Sequence, residues 1–430
     1  MDGLCQIKSC RLQKRIEMAD SMKKPGNFSK FLLLWTGELV SSIGGGLTSF
    51  GLGVYIFQQT GSAASMALVT LLGFLPTLLL SVPAGVLADR YDRRLLMMIG
   101  DGCSALGIMY ILFCMMNGGA SLAQICIGVS VSAVFSALLE PSFRATITDL
   151  LTKEEYSKAS GLVSLAGSAR YLFSPVIAGF LLTVSDVKLL LGIDICTFFL
   201  TVVSAAVVRK GIHSSITEKK EAFAQSIAEG WRVISSNKGV ILLIAISSAV
   251  TLFMGMFQIL AEPLILSFAD AKTLGAAETI CACGMLVSGL ILGIRGLKGH
   301  YVRLLVVSLV LAGIFMAGFG TFENILPICG FGFLFFSTLP VANNCLDYLI
   351  RTNIPDEVQG RAWGMIGFLS QLGYVAAYAV SGTAADMVGR IGGRGVGRGA
   401  AAVIVTAGVC LAVTAGFILL PKSIRELENP

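Results

Sequence analysis

Charge is what this sequence has least of. Asp, Glu, Lys and Arg make up 13% of its 430 residues, against about 25% in an average soluble chain. With 55% of the residues apolar, the chain cannot cover a folded surface with polar groups. That excludes a soluble globular enzyme, a disordered protein and a disulfide-rich secreted domain. Histidine is nearly missing, with His213 and His300 both in polar connecting segments, so any proton handling within the apolar segments falls to carboxylates. The net charge of +6 is spread along the chain without a basic face, which argues against a nucleic-acid partner. No G-x-x-x-x-G-K-[ST] occurs, so the chain is not expected to hydrolyse ATP on its own. No catalytic histidine, nucleophile motif or metal-ligand cluster stands out, and the expectation is of no enzyme activity, no metal and no cofactor. The 11 cysteines are scattered, and the Cys281–Cys283 spacing fits neither zinc nor redox motifs. They read as small, reduced packing residues.

What remains is a polytopic membrane protein. Apolar segments recur near 30–57, 64–87, 95–116, 121–142, 158–183, 188–208, 239–261, 273–295, 301–321, 325–349, 362–388 and 400–420. Each is long enough to cross a bilayer, which takes about 20 residues. In lipid each must be helical, because every backbone polar group needs an internal partner. The longest polar stretch, 209–238, divides the chain into a half at 29–208 and a half at 239–421, with tails at 1–28 and 422–430. Within that stretch Phe223, Ile227, Trp231 and Ile234 recur at helical spacing, opposite Glu221, Gln225, Glu229 and Arg232, which predicts an amphipathic helix on the membrane surface. With the N-terminus inside, 26 of the 32 basic residues fall in inner tails and loops, five in outer loops and Arg170 within a span. This places both termini in the cytoplasm. The tail at 1–28 is polar and basic and does not read as a secretory signal; Met18 and Met22 are alternative starts. The outer IGGRGVGRG segment after the eleventh span runs against the charge rule and has no explanation in the pattern.

The loop after the second span reads Gly85-Val-Leu-Ala-Asp89-Arg90-Tyr-Asp92-Arg93-Arg94. A loop that only sets orientation needs the bases, not the two acids or the glycine. The segment resembles the G-x-L-A-D-R-x-G-R-R signature of the major facilitator superfamily, with Asp92 where that family usually has glycine. The DRYDRR form is similar to the branch that holds macrolide and enterobactin exporters. Trp35–Gly46 and Thr60–Ala63 resemble that branch's first span and following loop, the Glu140-Pro-Ser-Phe-Arg-Ala stretch with Asp149-Leu150 its loop after span four, and Pro355-Asp-Glu with Gly360-Arg361 its loop after span ten. The resemblance implies an all-α fold of twelve transmembrane helices in two pseudo-symmetric six-helix bundles. It implies that Gly85 and the charged residues Asp89, Arg90, Arg93 and Arg94 control gating. Asp89 would tie the halves together when the outer side is open, holding a helix N-terminus or a base across the seam, and Gly85 would let two helices approach closely. In span five, Ser174-Pro175-Val-Ile-Ala-Gly179 resembles a degraded form of the family's antiporter motif and retains the kinking Pro175 and the small Gly179.

Polar residues form stripes inside three spans. Glu38, Ser42, Gly45 and Ser49 share one helix face in span one. Ser247, Thr251, Gly255, Gln258 and Glu262 do so in span seven, and Gln371, Tyr374, Tyr378 and Ser381 in span eleven. The resemblance places spans one and seven around a central cavity, so Ser42, Ser49, Thr251, Gln258, Gln371, Tyr374 and Tyr378 are substrate-cavity candidates; helix-packing polar contacts are the alternative. Arg170 lies about 18 Å into span five, where an unpaired base is costly. Glu38 is its expected partner, Asp101 the second choice. Glu38, Arg170 and Asp101 are the proton-coupling candidates; Asp194, Glu278 and Asp347 are further intramembrane acids, Asp194 and Asp347 reading as helix-end residues. The leading expectation is a monomeric, proton-driven exporter of amphiphilic small molecules in the bacterial cytoplasmic membrane, with lipid and the small-molecule substrate as its partners. A metabolite uptake symporter on the same fold and a non-transporting receptor or scaffold are the alternatives.

Overall fold

The structure is a computed structural model and describes residues 27–152, 155–209, 235, 238–297, 299–354, 359–393 and 395–417. The tails, the amphipathic helix expected within 209–238 and the Pro355-Asp-Glu segment lie outside the described residues. Those residues form α1 (Phe28–Thr60), α2 (Ala63–Arg90), α3 (Arg93–Met116), α4 (Leu122–Ser136), α5 (Leu139–Leu150), α6 (Tyr156–Val184) and α7 (Val187–Arg209) in the first half. The second half has α8 (Lys238–Leu266), α9 (Ala271–Arg295), α10 (Tyr301–Thr321), α11 (Ile325–Thr352), α12 (Gln359–Ile391) and α13 (Gly395–Phe417). They make twelve candidate membrane spans, α4 and α5 together forming one.

Local chemistry sets the helix ends. Ser62, Asp92, Ser121, Asp270 and Asn324 accept backbone N–H bonds at the starts of α2, α3, α4, α9 and α11, satisfying donors that have no partner within the helix. Ser121 and Gln124 complete a reciprocal capping box. Gly61 ends α1 in the left-handed region, at φ 59°, where a side chain would be strained. One expectation is corrected: the stretch from Glu140 to Leu150, read as a loop after span four, is the helix α5. Pro141 falls in its first turn, where a missing N–H costs nothing.

Within the first half α1 packs on α6 and α7, and α3 on α4, α5 and α7. Within the second, α8 packs on α12 and α13, α10 on α11 and α13, and α9 on α11. The halves meet along two seams, α6 against α9 and α2 against α12. Because α1 starts at the face carrying Arg90, Arg93 and Arg94, the α1–α2 turn and the α8–α9 turn lie at the opposite face. Both seams are tight near that opposite face. A Cβ built on Gly179 would stand 2.8 Å from the Ala271 carbonyl oxygen, and one on Gly382 2.7 Å from Ala64 Cα. The conformation is therefore closed on the side away from the basic turns.

The Gly/Arg-rich segment now has a structural explanation. Gly389 and Gly399 let the α12–α13 hairpin close on itself, and Arg398 forms an ion pair with Glu323 beyond the end of α10. The glycines serve close helix packing, and one of the bases is neutralised locally.

Candidate gating turn, cavity and coupling residues

The charged turn is built from two helix ends. α2 runs through Pro76 and Pro83 to Arg90; after Tyr91, Asp92 caps α3 by accepting from Arg94 N at 3.1 Å. Arg93 donates to Asp149 at 2.6 Å, to the Ala145 carbonyl at 2.9 Å and to the Ala88 carbonyl at 3.2 Å. Arg94, only 1% exposed, reaches the second Asp149 oxygen at 3.4 Å. Arg209 at the end of α7 pairs with Asp92 at 2.7 Å. These bonds tie α2, α3, α5 and α7 into one block, so Asp92, standing where the signature has glycine, works here as a cap and an anion for Arg209. Asp89 is exposed and makes no hydrogen bond or ion pair with a described residue. The expected close approach at Gly85 is not made: a Cβ there would meet nothing within 4 Å. Both facts have one physical reason. The helices are drawn together at the opposite face, which leaves Gly85 and Asp89 without close contacts among the described residues.

The span-one stripe faces open space at Gly45, where an added Cβ meets nothing within 4 Å, while Gly44 and Gly46 press on α7 and α6. Ser49 on the same face is exposed. Arg170 donates to Ser49 Oγ at 2.9 Å. The expected Arg170–Glu38 pair is absent. The helices are adjacent as expected, but Ser49 lies eleven residues beyond Glu38, about 16 Å along α1. Arg170 is exposed at the level of Ser49, and Asp194 lies within its electrostatic reach without forming an ion pair with it.

The span-seven stripe divides. Thr251 donates to the Ser370 carbonyl at 2.5 Å, and a Cβ on Gly255 would stand 2.7 Å from Ala377 Cβ. That part of α8 binds α12 and is packing, not cavity lining. Gln258 is different: Tyr378 donates to its Oε1 at 2.8 Å. Tyr374 and Tyr378 meet Phe74 of α2 edge-on, at 5.8 and 5.6 Å between centroids. Tyr171 and Arg170 of α6 lie within electrostatic reach of Tyr378. Residues from α2, α6, α8 and α12 thus converge midway along the helices, below the closed seams. Gln371 Oε1 and the Ser381 hydroxyl are buried without a partner among the described residues. Phe74 and Tyr171 were not singled out by the sequence, because neither lies on a polar stripe.

The acids of the first half gather. Asp101 of α3 and Asp194 of α7 are each 1% exposed. Asp101 has Glu38, Thr201 and Asp194 as electrostatic neighbours, yet neither of its carboxyl oxygens has a hydrogen-bond partner among the described residues. Asp194 is not a helix-end residue: it lies seven residues into α7, and Thr197 donates to its carbonyl at 2.7 Å. In the second half Glu262 and Glu278 are electrostatic neighbours, with Glu262 against Gly53 of α1. Among the described residues no three His, Cys, Asp or Glu side chains gather as metal ligands.

The family model of the Major Facilitator Superfamily matches residues 34–378. Macrolide efflux protein A of Streptococcus pyogenes is 27% identical over 383 residues, covering 86% of this chain and 92% of that protein. The multidrug efflux pump Tap of Mycobacterium tuberculosis is 23% identical over 372 residues, covering 83% and 86%. A bacterial homologue of the human lysosomal transporter Spinster, solved in an inward-facing, unoccupied conformation, superposes with a TM-score of 0.68 at 14% identity, over 94% of this chain and 98% of that one. Charged turn, paired helix bundles and family match agree: this chain belongs to the major facilitator superfamily of membrane transporters.

Proposed function

We propose that the protein is a proton-driven exporter of amphiphilic small molecules, working by alternating access. The observation that carries this reading is the convergence of Phe74, Tyr374, Tyr378 and Gln258 from both halves, beneath seams closed at the opposite face. Aromatic faces with a few hydroxyl and amide groups suit a cargo with a large apolar body and scattered polar groups. Among the described residues Arg170 is the single base beside them, which disfavours a polyanionic nutrient. The efflux names of the relatives support the same direction of transport.

Coupling is assigned to the buried acids Asp101 and Asp194 and the half-buried Glu38. Of these, Asp101 has neither carboxyl oxygen hydrogen-bonded among the described residues, which leaves both oxygens available to exchange a proton. Binding and release of that proton changes the charge next to Arg170 and α1, and α1 lines both the cavity and the acid cluster. The basic face is assigned to the cytoplasm of a bacterium by the excess of Lys and Arg, so the conformation described is open inward. In the outward-open state the α2–α12 seam closes at the basic face and Asp89 gains its partner. The transporter works as a monomer without a bound cofactor.

The test is accumulation of a panel of cationic dyes and macrolides in drug-sensitive bacteria expressing the protein. Expression should lower accumulation of some members, and a protonophore should restore it. Raised accumulation on expression would instead establish the uptake alternative.

A further inference from the structure

At the face opposite the basic turns, the end of α12 caps the start of α2. Asp386 lies five residues before the end of α12 and is 8% exposed. Its carboxylate accepts from Ser62 Oγ at 2.5 Å, from Ala63 N at 2.9 Å and from Ala64 N at 3.2 Å. Ser62 in turn accepts from Ser65 N at 3.2 Å. Thus two of the free N–H groups in the first turn of α2, those of Ala63 and Ala64, are satisfied from the other half of the molecule. An acid at a helix N-terminus gains from hydrogen bonds to the charged form and from the helix dipole. Gly382, one turn earlier on α12, lies against the Ala63 and Ala64 backbone, and this contact brings the carboxylate within reach.

We propose that Asp386 is the latch of the outer gate: its bonds to Ser62, Ala63 and Ala64 hold α2 against α12 in the closed-out conformation and must break for the cavity to open outward. The antiparallel arrangement explains why this acid is well placed for the task. α2 and α12 each present an N-terminus at the end where the other carries an acid. At one end Asp386 meets the start of α2. At the other, Asp89 in the last turn of α2 stands on the side where α12 begins, exposed and without a described partner. One latch is made while the other has no partner among the described residues, so rocking of one half against the other exchanges them. Asp386 acts through the positions of α2 and α12 and touches no cargo; it is a positioning residue.

The consequence for transport rests on the alternating-access reading, but the latch itself is tested without any substrate. Hydrogen exchange is followed by mass spectrometry on the purified protein in lipid nanodiscs, for the wild type, Asp386→Ala and Ser62→Ala. Asp386→Ala should speed exchange at least about tenfold in the first turn of α2. It should also speed exchange at the remote α6–α9 seam around Gly179 and Gly275, and slow it in the 85–94 turn, as the population moves to the outward-open state. Ser62→Ala removes one of the three bonds to Asp386 together with the cap bond from Ser65 N, and should give the same pattern at the two remote regions, smaller. A purely structural cap would loosen the first turn of α2 and leave both remote regions unchanged; that result overturns the proposal. If Asp386→Ala does not fold, Ser62→Ala alone decides between the same two patterns. If the remote pattern appears but no dye or macrolide is exported by the wild type, the latch stands and the exporter reading fails.

Discussion

Gly179 is the position where a single carbon should shift the whole conformational balance. A Cβ there would lie 2.8 Å from the Ala271 carbonyl oxygen and 3.2 Å from Lys272 Cα. Both neighbours are backbone, so neither can rotate away. In Gly179→Val the branched side chain forces α6 and α9 apart at the opposite face. Overpacking of this kind costs about 1–3 kcal/mol. That cost falls only on the conformer in which the seam is shut, so it changes the ratio of the two states by about 5- to 150-fold. Pulsed electron resonance can read the change, with spin labels at Ser185→Cys and Phe268→Cys on a background cleared of native cysteines. The label separation should lengthen in Gly179→Val, and export should slow at unchanged expression. Gly192→Ala is the control, because its added Cβ meets nothing within 4 Å. If Gly179→Val keeps the distance distribution and export rate of that control, the α6–α9 seam is not a gate and the argument is wrong.

Four further outcomes are expected. Asp149→Asn leaves Arg94, 1% exposed, beside a neutral partner, and loss of a buried pair's anion costs about 3–5 kcal/mol; melting in detergent should fall sharply, whereas Asp89→Asn, with no described partner in this state, should melt normally yet export poorly. The Arg170→Ala and Glu38→Gln changes should be additive in stability, because the two side chains do not pair; a coupling above about 0.5 kcal/mol in the double mutant would contradict the geometry. Tyr378→Phe deletes the bond to Gln258 and should cost about 1 kcal/mol, read as an altered ranking of exported dyes rather than general loss. The Asp270 carboxyl is held below its ordinary pKa by its hydrogen bonds from Thr273. A depressed folded-state value gives stability that is present above the ordinary carboxylate range and lost as pH falls through the folded-state value; amide exchange at Thr273 should therefore quicken only in strongly acidic buffer and be fast at all pH values in Asp270→Ala.

Fold and family were legible because the signals are long or local. Twelve apolar runs announce themselves by length, and the 85–94 turn by the spacing of its charges. Gly45 and Ser49 share an open face of α1, a relation that spacing along one helix is enough to give. What failed needed the relation between two helices. Arg170 and Glu38 sit on adjacent helices, but depth along the axis, not adjacency, decides a salt bridge. Thr251 shares a stripe with Gln258, yet one hydroxyl meets a carbonyl of α12 and the other side chain meets Tyr378. Asp386 went unnoticed because nothing near it in sequence is unusual: its partners lie more than 300 residues away, at Ser62–Ala64. Asp194 was misread because distance from the span end suggested a cap, whereas its burial comes from Gly44 of α1 pressing on α7.

The central claim is that a proton gradient drives amphiphilic cargo through this cavity. The direct measurement is export in proteoliposomes of defined orientation, with an imposed pH difference and no other energy source. A fluorescent amphiphilic cation should move against its gradient while protons move oppositely, both movements should stop with Asp101→Asn, and collapsing the pH difference should abolish uphill transport. Uphill transport that persists without a proton gradient, or that Asp101→Asn leaves intact, would contradict the account.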